Sequence, residues 1–162
     1  MADAILAAAE AGDVDRLGVL ARARGAKLEC QNAEGARPLL LAALGGHTDC
    51  CALLLSLGAR VEATKDGGAS ALFAAAASGS RSCCEVLVGA GAPIDLPNAH
   101  GVTPLAVAAL KNHADVATPL LSHRADAAAA DRAAMAPLHK AAKADADEAV
   151  EALLAAAGAD AL

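Results

Sequence analysis

Gly101-Val102-Thr103-Pro104-Leu105-Ala106-Val107-Ala108-Ala109 has relatives elsewhere in the same chain. Thirty-three residues earlier stands Gly68-Ala69-Ser70-Ala71-Leu72-Phe73-Ala74-Ala75-Ala76. A further 33 back is Gly35-Ala36-Arg37-Pro38-Leu39-Leu40-Leu41-Ala42-Ala43, and 33 forward is Ala134-Met135-Ala136-Pro137-Leu138-His139-Lys140-Ala141-Ala142. Leu39, Leu72, Leu105 and Leu138 are thus in phase. A fixed period of this length marks a solenoid, in which each unit is one supersecondary element that cannot bury its apolar face alone. The period predicts five units, about residues 2–31, 32–64, 65–97, 98–130 and 131–162, stacked as one domain over 1–162 with divergent units at its ends.

Composition narrows the function classes. The chain has 13 Lys+Arg against 19 Asp+Glu, a net charge of −6, which argues against nucleic acid as the partner. Alanine is by far the commonest residue, and there is one Phe with neither Trp nor Tyr. That favours helices with small contacts and a thin core, since alanine is the best helix former but buries little area. No run reaches the ~18 apolar residues of a membrane span. Met1-Ala2-Asp3-Ala4-Ile5-Leu6 has no basic region before an apolar stretch, so no secretory signal is expected, and Asp3 and Glu10 count against an organelle transit peptide. Five cysteines without such a signal point to a reducing intracellular compartment, cytoplasmic by default. Cys50-Cys51 and Cys83-Cys84 occupy the same place in successive units. They are expected to pack as small hydrophobes, because adjacent cysteines lack the loop spacing a tetrahedral zinc site needs.

Along the chain, Gly12 should stop a first helix and Asp13 cap a second carrying Val14, Leu17 and Leu20. Pro38 suits a helix start. Leu39, Leu41 and Ala42 should face inward, and Leu53 and Leu54 should be core in the following helix. Gly25, Gly58 and Gly91 should close the second helix of their units. Phe73 is read as filling space beside its alanines. Thr118-Pro119 falls inside the second helix of the fourth unit, which predicts a kinked or shortened helix and a soft seam before the fifth. In that fifth unit Ala134 replaces the turn glycine. Its second helix is expected over about 147–157, ended by Gly158, with a polar outer face that caps the stack.

These motifs together resemble the ankyrin repeat. Gly101-x-Thr103-Pro104-Leu105-x-x-Ala108-Ala109, Asn112-His113, Leu120-Leu121 and Arg124-Ala125-Asp126 carry the likeness in the fourth unit. Gly46-His47, Leu53-Leu54-Leu55 and Gly58-Ala59 carry it in the second. In the last unit it rests on Ala136-Pro137-Leu138-His139 and Gly158-Ala159-Asp160. The resemblance implies an all-α solenoid of antiparallel helix pairs joined by projecting β-hairpin-like turns, whose inner helices and turn tips bind other proteins. By position the implied binding residues are Ala33, Glu34, Ala36 and Leu44, then Asp66, Gly67, Ala69 and Ser78. His100, Val102, Leu110 and Lys111 follow in the fourth unit, and Arg132, Met135 and Lys143 in the fifth. This set has no aromatic and few long side chains, unlike tight-binding surfaces rich in Tyr, Trp and Arg.

Two readings of function follow. One is a non-catalytic module binding a partner protein; the other is a small constitutive subunit or assembly factor within a larger complex, stabilised by its neighbours. Catalysis is disfavoured: there is no nucleophile elbow, no phosphate-cradling glycine loop with its lysine, and no His-x-x-x-His pair. No cofactor is expected. His47 and His113 fall at matching repeat positions, while His100 and His123 should be exposed.

Overall fold

The computed structural model describes residues 1–159. Over these the chain forms ten α-helices in five pairs. The first pair is α1 (Ala2–Ala11) and α2 (Val14–Arg22), and the second α3 (Pro38–Leu44) and α4 (Thr48–Ser56). Then come α5 (Ala71–Ser78) with α6 (Arg81–Gly89), α7 (Pro104–Leu110) with α8 (Ala114–Ser122), and α9 (Pro137–Lys143) with α10 (Asp147–Ala159). Odd-numbered helices pack on one another in sequence order, and so do even-numbered ones, giving two parallel rows. The odd row is the inner one: every residue of Pro104–Ala109 is buried, whereas α8 buries only Val116, Ala117 and Leu120. A continuous apolar cluster runs from Ile5 to Leu153.

Local chemistry sets the helix starts. Proline opens α3, α7 and α9, where its missing N–H removes no hydrogen bond. In the slot before, the Thr103 hydroxyl accepts from Ala106 N at 3.2 Å and Ser70 from Phe73 N at 3.1 Å. Ala136 has no such side chain, and its own N–H donates instead to His139 Nδ1 at 3.2 Å. Asp13 caps α2 as expected, accepting from Arg16 N at 2.9 Å.

Between pairs the chain makes four projecting turns of one design. Asn32, Lys65, Asn98 and Asp131 each donate their backbone N–H to the carbonyl four residues on, at 3.0–3.1 Å. Asn32 Oδ1, Asn98 Oδ1 and Asp131 Oδ1 also each accept two backbone N–H groups inside their turn. Strand pairing is slight: among the described residues one isolated bridge, Thr64 to Ser70, marks the β-character. Neighbouring turns are bonded to each other. Asp66 N donates to Glu34 O (3.3 Å), Ala99 N to Gly67 O (2.8 Å) and Arg132 N to His100 O (3.1 Å).

These contacts explain the turn glycines better than turn geometry alone. Gly35, Gly68 and Gly101 have φ of 72°, 79° and 80°, and Ala134 takes the same conformation at 58°. A β-carbon on Gly101 would sit 3.0 Å from Arg132 N and 3.2 Å from Asp131 Cα; one on Gly68 would sit 2.9 Å from Ala99 N. Each of those glycines therefore has the next turn's backbone against it. No further projecting turn follows that of Ala134 among the described residues, so only the backbone strain remains there.

Several expectations need correcting. Helix α8 is not shortened by Pro119, having nine residues like α4 and α6. The carbonyl left without its intrahelical partner is that of Asp115, an exposed residue whose backbone water can reach. Leu53 is half-buried, because Cys50, Cys51 and Leu54 take the face of α4 turned to the core. Phe73, by contrast, packs against the core as expected, half-buried at its edge. Gly158 does not end the last helix, which runs through Ala159; Asp160 lies outside the described residues. Nor is the last unit polar-faced throughout. Leu39, Leu72 and Leu105 are 4%, 1% and 0% exposed, but Leu138 is 37% exposed and Leu154 54%, with no further helix pair against them among the described residues.

Candidate functional site

The three central inner helices, α3, α5 and α7, are so thoroughly covered along their length that side chains reach solvent mainly at their C-terminal ends and in the turns before them. The resemblance-derived residues accordingly fall on two rims. Glu34, Asp66, His100 and Arg132 lie on the turn rim, all exposed, with Ala33 and Gly67 beside them. Leu44, Ser78, Leu110, Lys111 and Lys143 lie on the other rim, at or just past the ends of α3, α5, α7 and α9, and all are exposed. The rims are separated by inner helices of seven or eight residues, a span of roughly 10–12 Å.

Four residues are less available than their position implies. Ala36 is 2% exposed, since it closes the turn on Asn32 and packs in the core. Ala69 and Met135 are half-buried in the equivalent places, and Val102 packs partly against the core. Ser78 is exposed, but its hydroxyl donates to Ala75 O (3.0 Å) and Ala43 O (3.3 Å), so it links α5 to α3.

Charge is distributed unevenly along the rims. Glu34 and Asp66 mark the N-terminal half; Glu34 stands 3.6 Å from Lys65. Lys111, Arg132 and Lys143 mark the C-terminal half, and among the described residues none of the three has a carboxylate within salt-bridge distance. Lys140, by contrast, is 8% exposed and bound to Asp131 at 2.5 Å. The Lys140 ammonium and the backbone N–H groups of Met135 and Ala133 hold the Asp131 carboxyl down to about 2. This pair was missed by sequence reasoning. The signal was available: a lysine where other units have Leu41, Ala74 and Val107 must meet a carboxylate once buried.

The buried cysteines are packing elements of the outer row. Cys50, Cys51, Cys83 and Cys84 are all free and at most 1% exposed. Burial pushes the Cys84 thiol up to about 12. Cys83 is drawn down to about 6 by its hydrogen bond with Cys51, by Ser80 and Thr48, and by nearby His47; the same bond raises Cys51. The Thr48 hydroxyl lies 3.4 Å from Cys83 Sγ, joining α4 to α6. No group of three or more His, Cys, Asp or Glu among the described residues is placed to hold a metal ion. His47 Nε2 reaches Glu10 O at 3.0 Å, and its ring fills the space over Gly12, where a β-carbon would come within 2.4 Å. The His113 ring stands in the same way over Gly79.

A second feature escaped the sequence reading. An open groove of about 890 Å³ lies between α8 and α10, lined largely by Leu121, Ala125, Ala127, Ala128, Ala152 and Ala155. Leu28, Val61 and Ile94 pack against the core in the places equivalent to Ala127. Truncation to alanine opens the groove at the seam where softness was expected.

Two rows of stacked helix pairs, turns bonded tip to tip, and imidazoles seated on the preceding unit's turn meet a matching family profile. The profile of ankyrin repeats (three copies) matches residues 5–98 and again 81–162. The chain belongs to the ankyrin-repeat family. No curated protein matches it. Ankyrin repeats are generally protein–protein interaction modules and typically non-catalytic. No helix among the described residues of this ankyrin-repeat chain is long and apolar enough to cross a membrane.

Proposed function

We propose that this chain is a non-catalytic binding module that holds a partner protein between its turn rim and the C-terminal ends of its inner helices. The observation that carries the reading is the exposure there of side chains the stack does not use. Leu44 and Leu110 are 51% and 41% exposed, and among the described residues Lys111, Arg132 and Lys143 have no ion-pair partner. A solenoid gains nothing from apolar side chains at these places, and an interface does. The test replaces Arg132, Met135 and Lys143 together by alanine and measures capture of the native partner from extract, read by mass spectrometry. Loss of that partner supports the reading; undiminished capture moves the contact to the outer helices or the ends.

A second reading, a constitutive subunit of a larger assembly, is favoured by other exposed aliphatics. Val19 on α2 is 74% exposed, and Leu138 and Leu154 leave an apolar surface on the last unit. An assembly that covers these would also stabilise a core built mostly of alanine. The five free cysteines fit residence in a reducing compartment under either reading.

A further inference from the structure

The two halves of the rims carry opposite charge, and this specifies the kind of partner more closely than the fold does. Glu34 and Asp66 are exposed in the second and third units; Lys111, Arg132 and Lys143 are exposed in the fourth and fifth. Lys65 offsets Glu34 at 3.6 Å but leaves Asp66, and Asp131 is engaged by Lys140. Asp145 in the turn that follows α9, Asp147 and Glu148 at the start of α10, and Asp115 near the start of α8 are exposed acids on the same half, but none of them is within salt-bridge distance of Lys111, Arg132 or Lys143. Lys111 and Lys143 end adjacent packed helices, α7 and α9, while Arg132 is fixed on the opposite rim by its N–H bond to His100 O at 3.1 Å. Leu110, next to Lys111, supplies apolar ground on the same rim.

We infer that the C-terminal half of this surface binds an acidic polypeptide segment, whose carboxylates meet Lys111, Lys143 and Arg132 across the two rims and whose apolar side chain covers Leu110. The inference rests on the reading above that the rims are the binding surface. A chain of net charge −6 repels acidic partners in general, so a local cationic site is what selects one and sets its register. The opposite sign of Glu34 and Asp66 favours a polypeptide over a nucleic acid. A polyphosphate strand long enough to lie along all the units meets both acids, whereas a peptide changes charge within a few residues.

Fluorescence anisotropy tests this with two labelled peptides of the same length and leucine content, one rich in Glu and Asp, the other in Lys and Arg, and with a labelled oligothymidylate. The expected result is binding of the acidic peptide that weakens markedly from 25 to 300 mM salt, since exposed ionic contacts are screened. The K111E/R132E/K143E variant should lose affinity for it ten-fold or more and gain affinity for the basic peptide. The K111Q/R132Q/K143Q variant should fall between, with both variants melting as the parent does because all three residues are exposed. Absence of acidic-peptide binding at low salt, indifference to the charge reversal, or tighter binding of the oligothymidylate overturns the inference. Photo-crosslinking of the native partner from residue 110 separates this from the broader reading. Crosslinks there with no acidic-peptide binding remove this inference alone; crosslinks only from residue 19 remove both.

Discussion

The glycine at the tip of each projecting turn offers a sharp test of how the units meet. Consider Gly101→Ala beside its reverse, Ala134→Gly. Both positions have positive φ, 80° and 58°. A left-handed conformation costs a non-glycine residue roughly 1–2 kcal/mol, while glycine loses roughly 0.4–1 kcal/mol through its freer unfolded chain. Backbone strain alone therefore makes Ala134→Gly stabilising by about 0.5–1 kcal/mol, and Gly101→Ala destabilising by the same amount. Gly101 carries a second cost, because its β-carbon would lie 3.0 Å from Arg132 N and 3.2 Å from Asp131 Cα. Those are backbone atoms held by the Arg132 N to His100 O bond, so relief means weakening that bond, a further ~1 kcal/mol or more. Gly101→Ala should cost about 2 kcal/mol in total, lowering the melting temperature by roughly 4–8 °C, whereas Ala134→Gly raises it by roughly 1–4 °C. Thermal melts followed by far-ultraviolet circular dichroism measure both. Equal and opposite shifts would refute the reasoning, because they would mean that no turn lies against Gly101.

Three other outcomes follow from the same contacts. Because the folded Asp131 carboxyl is held down to about 2, against about 4 unfolded, its contribution to stability is complete above the unfolded value and is lost as pH falls through about 4 to 2. The D131N/K140M double variant should accordingly show a flatter melting temperature than the parent between pH 5 and 2. Ala127→Ile should fill part of the groove between α8 and α10; three half-buried carbons are worth about 1 kcal/mol, or roughly 2–4 °C, and a melt that falls instead would mean the groove is already closed. Hydrogen exchange should be faster in α8 and α10 than in α4, where the equivalent space is filled and no proline interrupts the helix; equal protection would contradict the soft seam.

The period of 33 residues made the architecture legible, because every unit solves the same packing problem with residues at the same places. Leu39, Leu72 and Leu105 are buried as their register requires. The ends were harder to read, since a unit's burial depends on the next unit as well as on its own pattern. Leu138 matches its predecessors in sequence and is nevertheless exposed, and Ala134 tolerates a side chain where Gly101 has a neighbour. Within the candidate site, position alone located Glu34, Asp66, Lys111, Arg132 and Lys143 on exposed rims. It misjudged Ala36, whose small side chain packs into the core cluster while the larger Val102 and Met135 at the equivalent places stay half-buried. The Lys140–Asp131 pair and the groove beside Ala127 depend on contacts between elements, which a single-unit reading does not contain.

The most direct measurement of the binding claim places a photo-crosslinking amino acid singly at positions 44, 110, 19 and 154 and maps the crosslinked partner from native extract. All four side chains are at least 41% exposed, so accessibility does not bias the comparison toward one face. Positions 44 and 110 lie at the ends of inner helices, and 19 and 154 on the first and last outer helices. One partner should crosslink strongly from 44 and 110 and weakly or not at all from 19 and 154. The reverse pattern would rule out binding at the rims.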